Sequence, residues 1–316
     1  MKNTSRSVVQ CAQLLAREVD ARALVVYADV IGRDDDLGNL LRAVDFPTIL
    51  VSRAKGPRVS PASGSHTWVA VPDTPLTRLG QFKSALLVCL ARGLLRHGDR
   101  VVYVGGEDGS GAIDAVFVFD VGSMPELFWL PDPAALAGDV NPEVFERVLT
   151  LASALAVEGR EGRPVGALFV VGDSDSVLAQ SRSLVLNPFQ GHPESQRNIL
   201  DPAVEETVKE FSALDGAFVV RADGVVLSAG THLVPSVPHT KLPGGLGTRH
   251  AAAAGITAST SAVAVCVSQS TGTVAVFKAG QLVTNLPRPV GGTRVARRGE
   301  ESANGLPAER KFALTG

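Results

Sequence analysis

Three short segments in the second half of the chain carry side chains able to do chemistry on a phosphate. The first, Asp215-Gly216-Ala217, sets a carboxylate beside a glycine. A carboxylate there holds a divalent cation or takes a proton from a hydroxyl, and the glycine admits a ligand close to the backbone. The same Asp-Gly pair is also a common turn dipeptide. The second segment is Leu242-Pro243-Gly244-Gly245-Leu246-Gly247-Thr248-Arg249-His250, running into the alanines 251–254. Glycines ahead of an alanine-rich helix start let backbone N–H groups face an anion. Arg249 adds a planar, fixed positive charge, Thr248 a hydroxyl, and His250 a group that binds phosphate, ligates a metal or caps the helix. No Gly-Lys-Ser/Thr follows, so this is not a Walker loop, and its glycine spacing is not that of a dinucleotide fingerprint. A surface loop with an exposed Arg-His pair accounts for the same residues. The third segment, Val267-Ser268-Gln269-Ser270-Thr271-Gly272, ends in hydroxyls that contact phosphates or a metal, or cap the turn.

The elements that must position these segments follow from periodicity. Val144, Val148, Leu151 and Leu155 fall on one face of a helix over 144–157. Pro164 breaks the chain before a strand over 166–171, and 181–201 reads as a long loop. A helix over 204–214 leads to a hairpin, 217–220 with 225–228, turned at Ala222-Asp223-Gly224. Residues 261–267 and 273–277 form a second hairpin, and Lys278-Ala279-Gly280 makes another turn. The first part of the chain alternates helix and strand: helices near 8–18, 37–44 and 76–95, strands at 23–28, 48–51, 67–71 and 101–104. That succession implies a mostly parallel sheet. The fold class is therefore α/β. A mostly parallel domain over 1–130 precedes a second domain over 140–285, and 286–316 reads as a disordered tail.

Composition narrows the classes of partner. The 316 residues are 45% hydrophobic and 20% charged, with a formal net charge of −2. No basic stripe interleaved with aromatics appears, which argues against a nucleic-acid partner. There is no long apolar run and no signal-like start, so neither a membrane span nor export is expected, and the expected location is the cytoplasm. Cys11, Cys89 and Cys266 lie far apart in apolar runs and are expected to be buried free thiols. Asp34-Asp35-Asp36 reads as a solvated acidic turn. Glu107-Asp108-Gly109 follows a strand where α/β sheets place ligands. His66, His97, His192, His232 and His239 show no metal spacing, although His239 is close enough in sequence to line the glycine loop.

In order and approximate spacing, the three segments resemble the diadenylate cyclase (DAC) domain family, in which Asp-Gly-Ala is followed by Gly-Thr-Arg-His-Arg and then Val-Ser-Glu-Glu-Thr-Gly before a β-hairpin. The resemblance runs from roughly Val144 to Val283 and takes in the stretch Gly159 to Asp173 and the loop Asn187-Pro188-Phe189. Arg17 to Ala28 and Gly93 to Val102 are similar to the C-terminal domain of pyruvate kinase. That implies a fold and an oligomerising or ligand-sensing role, without kinase chemistry. A leading domain of that kind resembles the archaeal type of diadenylate cyclase.

The resemblance implies a twisted mixed sheet flanked by helices, and the condensation of two ATP into cyclic di-AMP with release of pyrophosphate. Asp215 would hold Mn²⁺ or Mg²⁺ or orient the attacking ribose 3′-hydroxyl, with His250 as a second metal ligand. Gly216 and Ala217 would lie against the nucleotide. Gly247, Thr248, Arg249 and His250 would grip the triphosphate, and Ser268 would touch it from the neighbouring strand. Asp215, Gly216, Arg249 and His250 would thus form the catalytic set. The domains would act as a face-to-face homo-oligomer. Two departures stand out: Ala251 replaces the family's second arginine, and Gln269-Ser270 replaces its Glu-Glu pair. A weak or silent nucleotide sensor using the same pocket, or an assembly module, are the alternative readings.

Overall fold

A computed structural model describes residues 3–31, 34–54, 66–74, 76–123, 128, 136, 138–236 and 247–288. The first sheet is built from β1 (Ala23–Tyr27), β2 (Thr48–Ser52), β3 (His66–Ala70), β4 (Arg100–Gly106) and β5 (Ile113–Asp120), in the order β3-β2-β1-β4-β5. The first four strands run parallel, as the strand–helix alternation predicts, and β5 returns antiparallel along β4. Helices α1 (Asn3–Glu18), α2 (Asp34–Arg42) and α3 (Arg78–Ala91) belong to this part. Residues 34–36 open α2 instead of forming a free turn. Thr77 caps α3 by accepting from the Gly80 N–H at 3.1 Å.

The second part contains α4 (Pro142–Glu158), β6 (Ala167–Val171), α5 (Ser174–Ala179), β7 (Ser181–Ser183), α6 (Val204–Phe211), β8 (Ala217–Val220), β9 (Val226–Leu233), α7 (Thr248–Ser259), β10 (Val263–Val267), β11 (Val274–Lys278) and β12 (Gln281–Leu286). Its sheet is seven-stranded and mixed, in the order β12-β11-β10-β6-β8-β9-β7. Side chains alternate across a strand, and here the alternation sorts two cores. Phe169, Val171, Phe218, Val220, Val265 and Val276 join one apolar cluster, on the side of α4. Leu168, Val170, Ala217, Val219, Cys266 and Phe277 join another, on the side of α7. The α4 helix begins sharply because Asn141 accepts from the Glu143 N–H at 2.9 Å and Pro142 occupies the first turn.

The first cluster does not stop at the second sheet. It continues into the first sheet and α3, so the two parts share one apolar core. Helix α3 lies against α4 and β12, and Arg92 makes a two-pronged ion pair with Glu146 across that contact.

Several expectations need correction. The stretch 181–201 is not all loop: it contains β7 and a 3₁₀ turn, Glu194–Arg197. Leu286 is the buried end of β12 rather than the start of a tail, and 289–316 lie outside the described residues. Cys11 is exposed, because its apolar neighbours share the buried face of α1 while it faces out; Cys89 and Cys266 are buried as expected. Among the described residues, no helix is long and apolar enough to cross a membrane.

Phe169 and Phe218 stack on adjacent parallel strands with ring centroids 5.0 Å apart. Phe169→Ala opens a cavity in the shared core and should lower the unfolding free energy by about 3–5 kcal/mol, as measured by chemical denaturation. A loss below about 1 kcal/mol would place the core elsewhere.

Candidate active site

Helix α7 begins at Gly247, which has no side chain to cap it. Its first N–H groups are therefore available to an anion. On one side of this helix start is a cavity of about 500 Å³, lined by Gly247, Thr248, Arg249 and His250 and by the hydroxyl-bearing turn Ser268 to Thr271. On the other side is a cavity of about 360 Å³, lined by Asp215, Gly216 and Ala217 together with apolar Leu168, Leu184 and Leu233. Thr248 and Arg249 line both. The larger cavity is rich in hydrogen-bond donors, which suits a polyphosphate. The smaller sets one carboxylate against aliphatic side chains, which suits a nucleoside.

Arg249 is the hinge of the arrangement. Its Nη2 donates to Asp215 Oδ1 at 3.3 Å, and the Asp215 side chain is 92% exposed. The guanidinium fits because residue 166 has no side chain: a Cβ on Gly166 would stand 2.7 Å from Arg249 Nη1. Gly216 is required for a different reason. Its φ is +106°, and a Cβ there would meet the Thr231 N–H at 2.6 Å. Ala217 pairs in register with Thr231, so β9 brings Thr231, His232 and Leu233 to the same cavity.

His250 lines the larger cavity but is 5% exposed, and its ring meets Phe277 edge-on at 5.9 Å. Burial pulls its pKa below the usual 6.5, so the imidazole is neutral at pH 7. The Ser268 hydroxyl sits 3.3 Å from that of Ser270, and its backbone closes the turn to Gly272 and Thr273. The segment thus caps its own turn and also faces the cavity. Gln269, in the place of the family's first glutamate, donates to the Pro164 carbonyl at 3.3 Å.

The arrangement brings together Gly247, Thr248, Arg249, His250 and Ser268 around one cavity, and Asp215, Gly216 and Ala217 with Thr248 and Arg249 around the other. Asp215 and His250 line different cavities. Among the described residues, no three His, Cys, Asp or Glu side chains gather to hold a metal. Residues 237–246, which include His239 and most of the glycine loop, lie outside the described residues. Sequence reasoning missed the roles of Gly166 and of Thr231 to Leu233. The signal for the second was the hairpin register, which ties β9 to Ala217.

An uncapped helix start, an arginine and a ring of hydroxyls, beside a cavity that sets a carboxylate among aliphatic side chains, suit a nucleotide. Residues 154–282 match the family described as "DisA bacterial checkpoint controller nucleotide-binding". This part of the chain is thus similar to the DAC domain family. Residues 4–128 match the family described as "Probable sensor domain DacZ_P". The chain is similar to a "Diadenylate cyclase" of Methanocaldococcus jannaschii, at 38% identity over 63% of this chain and 64% of that one. It is likewise similar to a "Diadenylate cyclase" of Haloferax volcanii, at 42% identity over 46% of this chain and 53% of that one. The match thus spans less than two thirds of either relative. A crystal structure of DacA from Staphylococcus aureus is similar at 23% identity and a TM-score of 0.29, over 44% of this chain and 84% of that one.

Gly166→Ala is compatible with its backbone but displaces the Arg249 guanidinium. Binding of a fluorescent ATP analogue should weaken about 10-fold or more, as for loss of a charged hydrogen bond, with the thermal midpoint unchanged. Equal affinity would show that Arg249 does not face the nucleotide. His250 gives a pH signature. The unfolded state gains its proton near 6.5 and the folded state only below that, so stability is full above 6.5 and falls as pH drops. His250→Asn should flatten that fall in denaturation series between pH 7 and 5.

Proposed function

We propose that the chain condenses two molecules of ATP into cyclic di-AMP and releases two pyrophosphates. The observation that carries this reading is the meeting of Asp215 and Arg249 at 3.3 Å, at the junction of a phosphate-suited and a nucleoside-suited cavity. The two curated relatives named diadenylate cyclase support it. On this reading, the triphosphate enters against the α7 start, the Arg249 fork and the Ser268 hydroxyl. Arg249 neutralises charge on the reacting phosphate, and the Asp215 carboxylate stands where the ribose 3′-hydroxyl loses its proton. Each 3′-hydroxyl attacks the α-phosphate of the other nucleotide, and each pyrophosphate leaves.

A divalent cation would fit at Asp215, where the open carboxylate and triphosphate oxygens would share it, whereas His250 lines the other cavity and would have to reach it from there. When bound, Mn²⁺ or Mg²⁺ would neutralise phosphate charge. The product has two identical halves, which two sites related by a two-fold axis make directly. The exposed apolar run Leu184, Val185 and Leu186 supports such pairing: Leu186 is 97% exposed, and Leu184 lines the Asp215 cavity. An ATP substrate supports a cytoplasmic location.

The sensor reading is favoured by one observation, the loss of three charged residues at 251, 269 and 270 relative to the family pattern. Incubation with ATP and Mn²⁺, followed by chromatography, decides between them. Cyclic di-AMP is expected, and ATP binding without product would favour the sensor. Asp215→Asn should cut turnover at least about 100-fold while leaving the exposed surface and the thermal midpoint intact. Turnover that survives the change would place the chemistry elsewhere.

A further inference from the structure

The geometry points to Asn285 as a polyphosphate-contacting residue and to Lys83, from the first domain, as the residue that orients it. This rests on the larger cavity being the polyphosphate end of a nucleotide site. Asn285 lies on β12, the edge strand of the second sheet, and lines the same cavity as the α7 start. Helix α3 packs along β12, and Lys83 projects from it. Lys83 Nζ donates to the Asn285 backbone oxygen at 3.3 Å and to its Oδ1 at 3.0 Å.

The pairing fixes which way the carboxamide faces. A lysine ammonium has three donors and no acceptor, so the amide oxygen must turn toward it. The Nδ2 group, with its two N–H bonds, then turns away from Lys83, and Asn285 is itself exposed. An exposed pair of donors on a cavity wall is suited to phosphate oxygens, and its polarisation by the ammonium behind it strengthens it.

Lys83 has a second reason to favour an anion. It is 6% exposed and has no ion pair among the described residues. A buried cation without a counter-charge is costly, and burial lowers its pKa. A polyphosphate in the cavity next to Asn285 offsets that cost. The charge reaches the site from another domain in a chain that carries Ala251 where the family pattern has arginine.

The test uses the full chain and calorimetric titration with ATP and with adenosine in the presence of Mg²⁺. Asn285→Asp keeps an acceptor for Lys83 but removes the donors and adds a negative charge. It should weaken ATP binding about 10- to 100-fold and leave adenosine binding and the thermal midpoint unchanged. Lys83→Met should weaken ATP binding by about 10-fold and leave adenosine binding unchanged. A purely structural lysine would instead give losses shared by adenosine, and that result overturns the assignment. So does wild-type ATP affinity in Asn285→Asp, which decides the matter even if Lys83→Met fails to fold. A wild-type chain that binds ATP but forms no cyclic di-AMP would remove the cyclase reading and leave this inference standing.

Discussion

The site depends on where one guanidinium is held. Arg249 lies in the first turn of α7, one residue past a helix start that no side chain caps. It reaches Asp215 only because position 166 leaves the space it occupies empty. An arginine so placed belongs to two cavities at once. It ties the strand that ends in Val171, the turn before β8 and the start of α7 into one unit. In this geometry Arg249 answers the Asp215 charge at the solvent edge, where the attraction is weak. A phosphate offers it several oxygens and a fork–fork fit that a single exposed carboxylate does not.

The sheet beneath is arranged to keep that unit rigid. Its inner strands β6, β8, β10 and β11 are buried on both faces, with alternate residues committed to the α4 side and the α7 side. A one-residue slip of any strand would exchange the two sets. The Asp215 and Ser268 segments sit at the ends of β8 and β10 and inherit this fixed register. His250 shows the same economy: its ring packs on Phe277 while its edge remains in the cavity wall.

Much of this was legible in the residues. Continuous apolar runs such as Val263 to Val267 gave strands covered on both faces, and the turn residues at 222–224 and 278–280 gave the hairpins. The three motif segments were readable because each combines a glycine with a charged or hydroxyl group. What stayed hidden was mostly non-local. Strand β5 exposes Val116, Phe117 and Val118 on an edge, so its pattern resembles no buried strand. The empty space at Gly166 has meaning only once α7 is folded over β6, some eighty residues away in sequence. Asn285 carries no motif, and only the packing of α3 onto β12 reveals what faces it.

That packing also bears on how the chain survives outside its nucleotide-bound state. The outer side of β12 would otherwise offer a row of unpaired amides and carbonyls to any passing polypeptide, an invitation to intermolecular strand addition. Helix α3 lies over it, and Lys83 occupies one of those carbonyls. The leading domain is therefore a shield against aggregation as well as a neighbour. Cutting the second half free would uncover this edge, part of the shared apolar core and an unpaired Glu146 together, so the two halves are thermodynamically one protein although they are two folds in sequence.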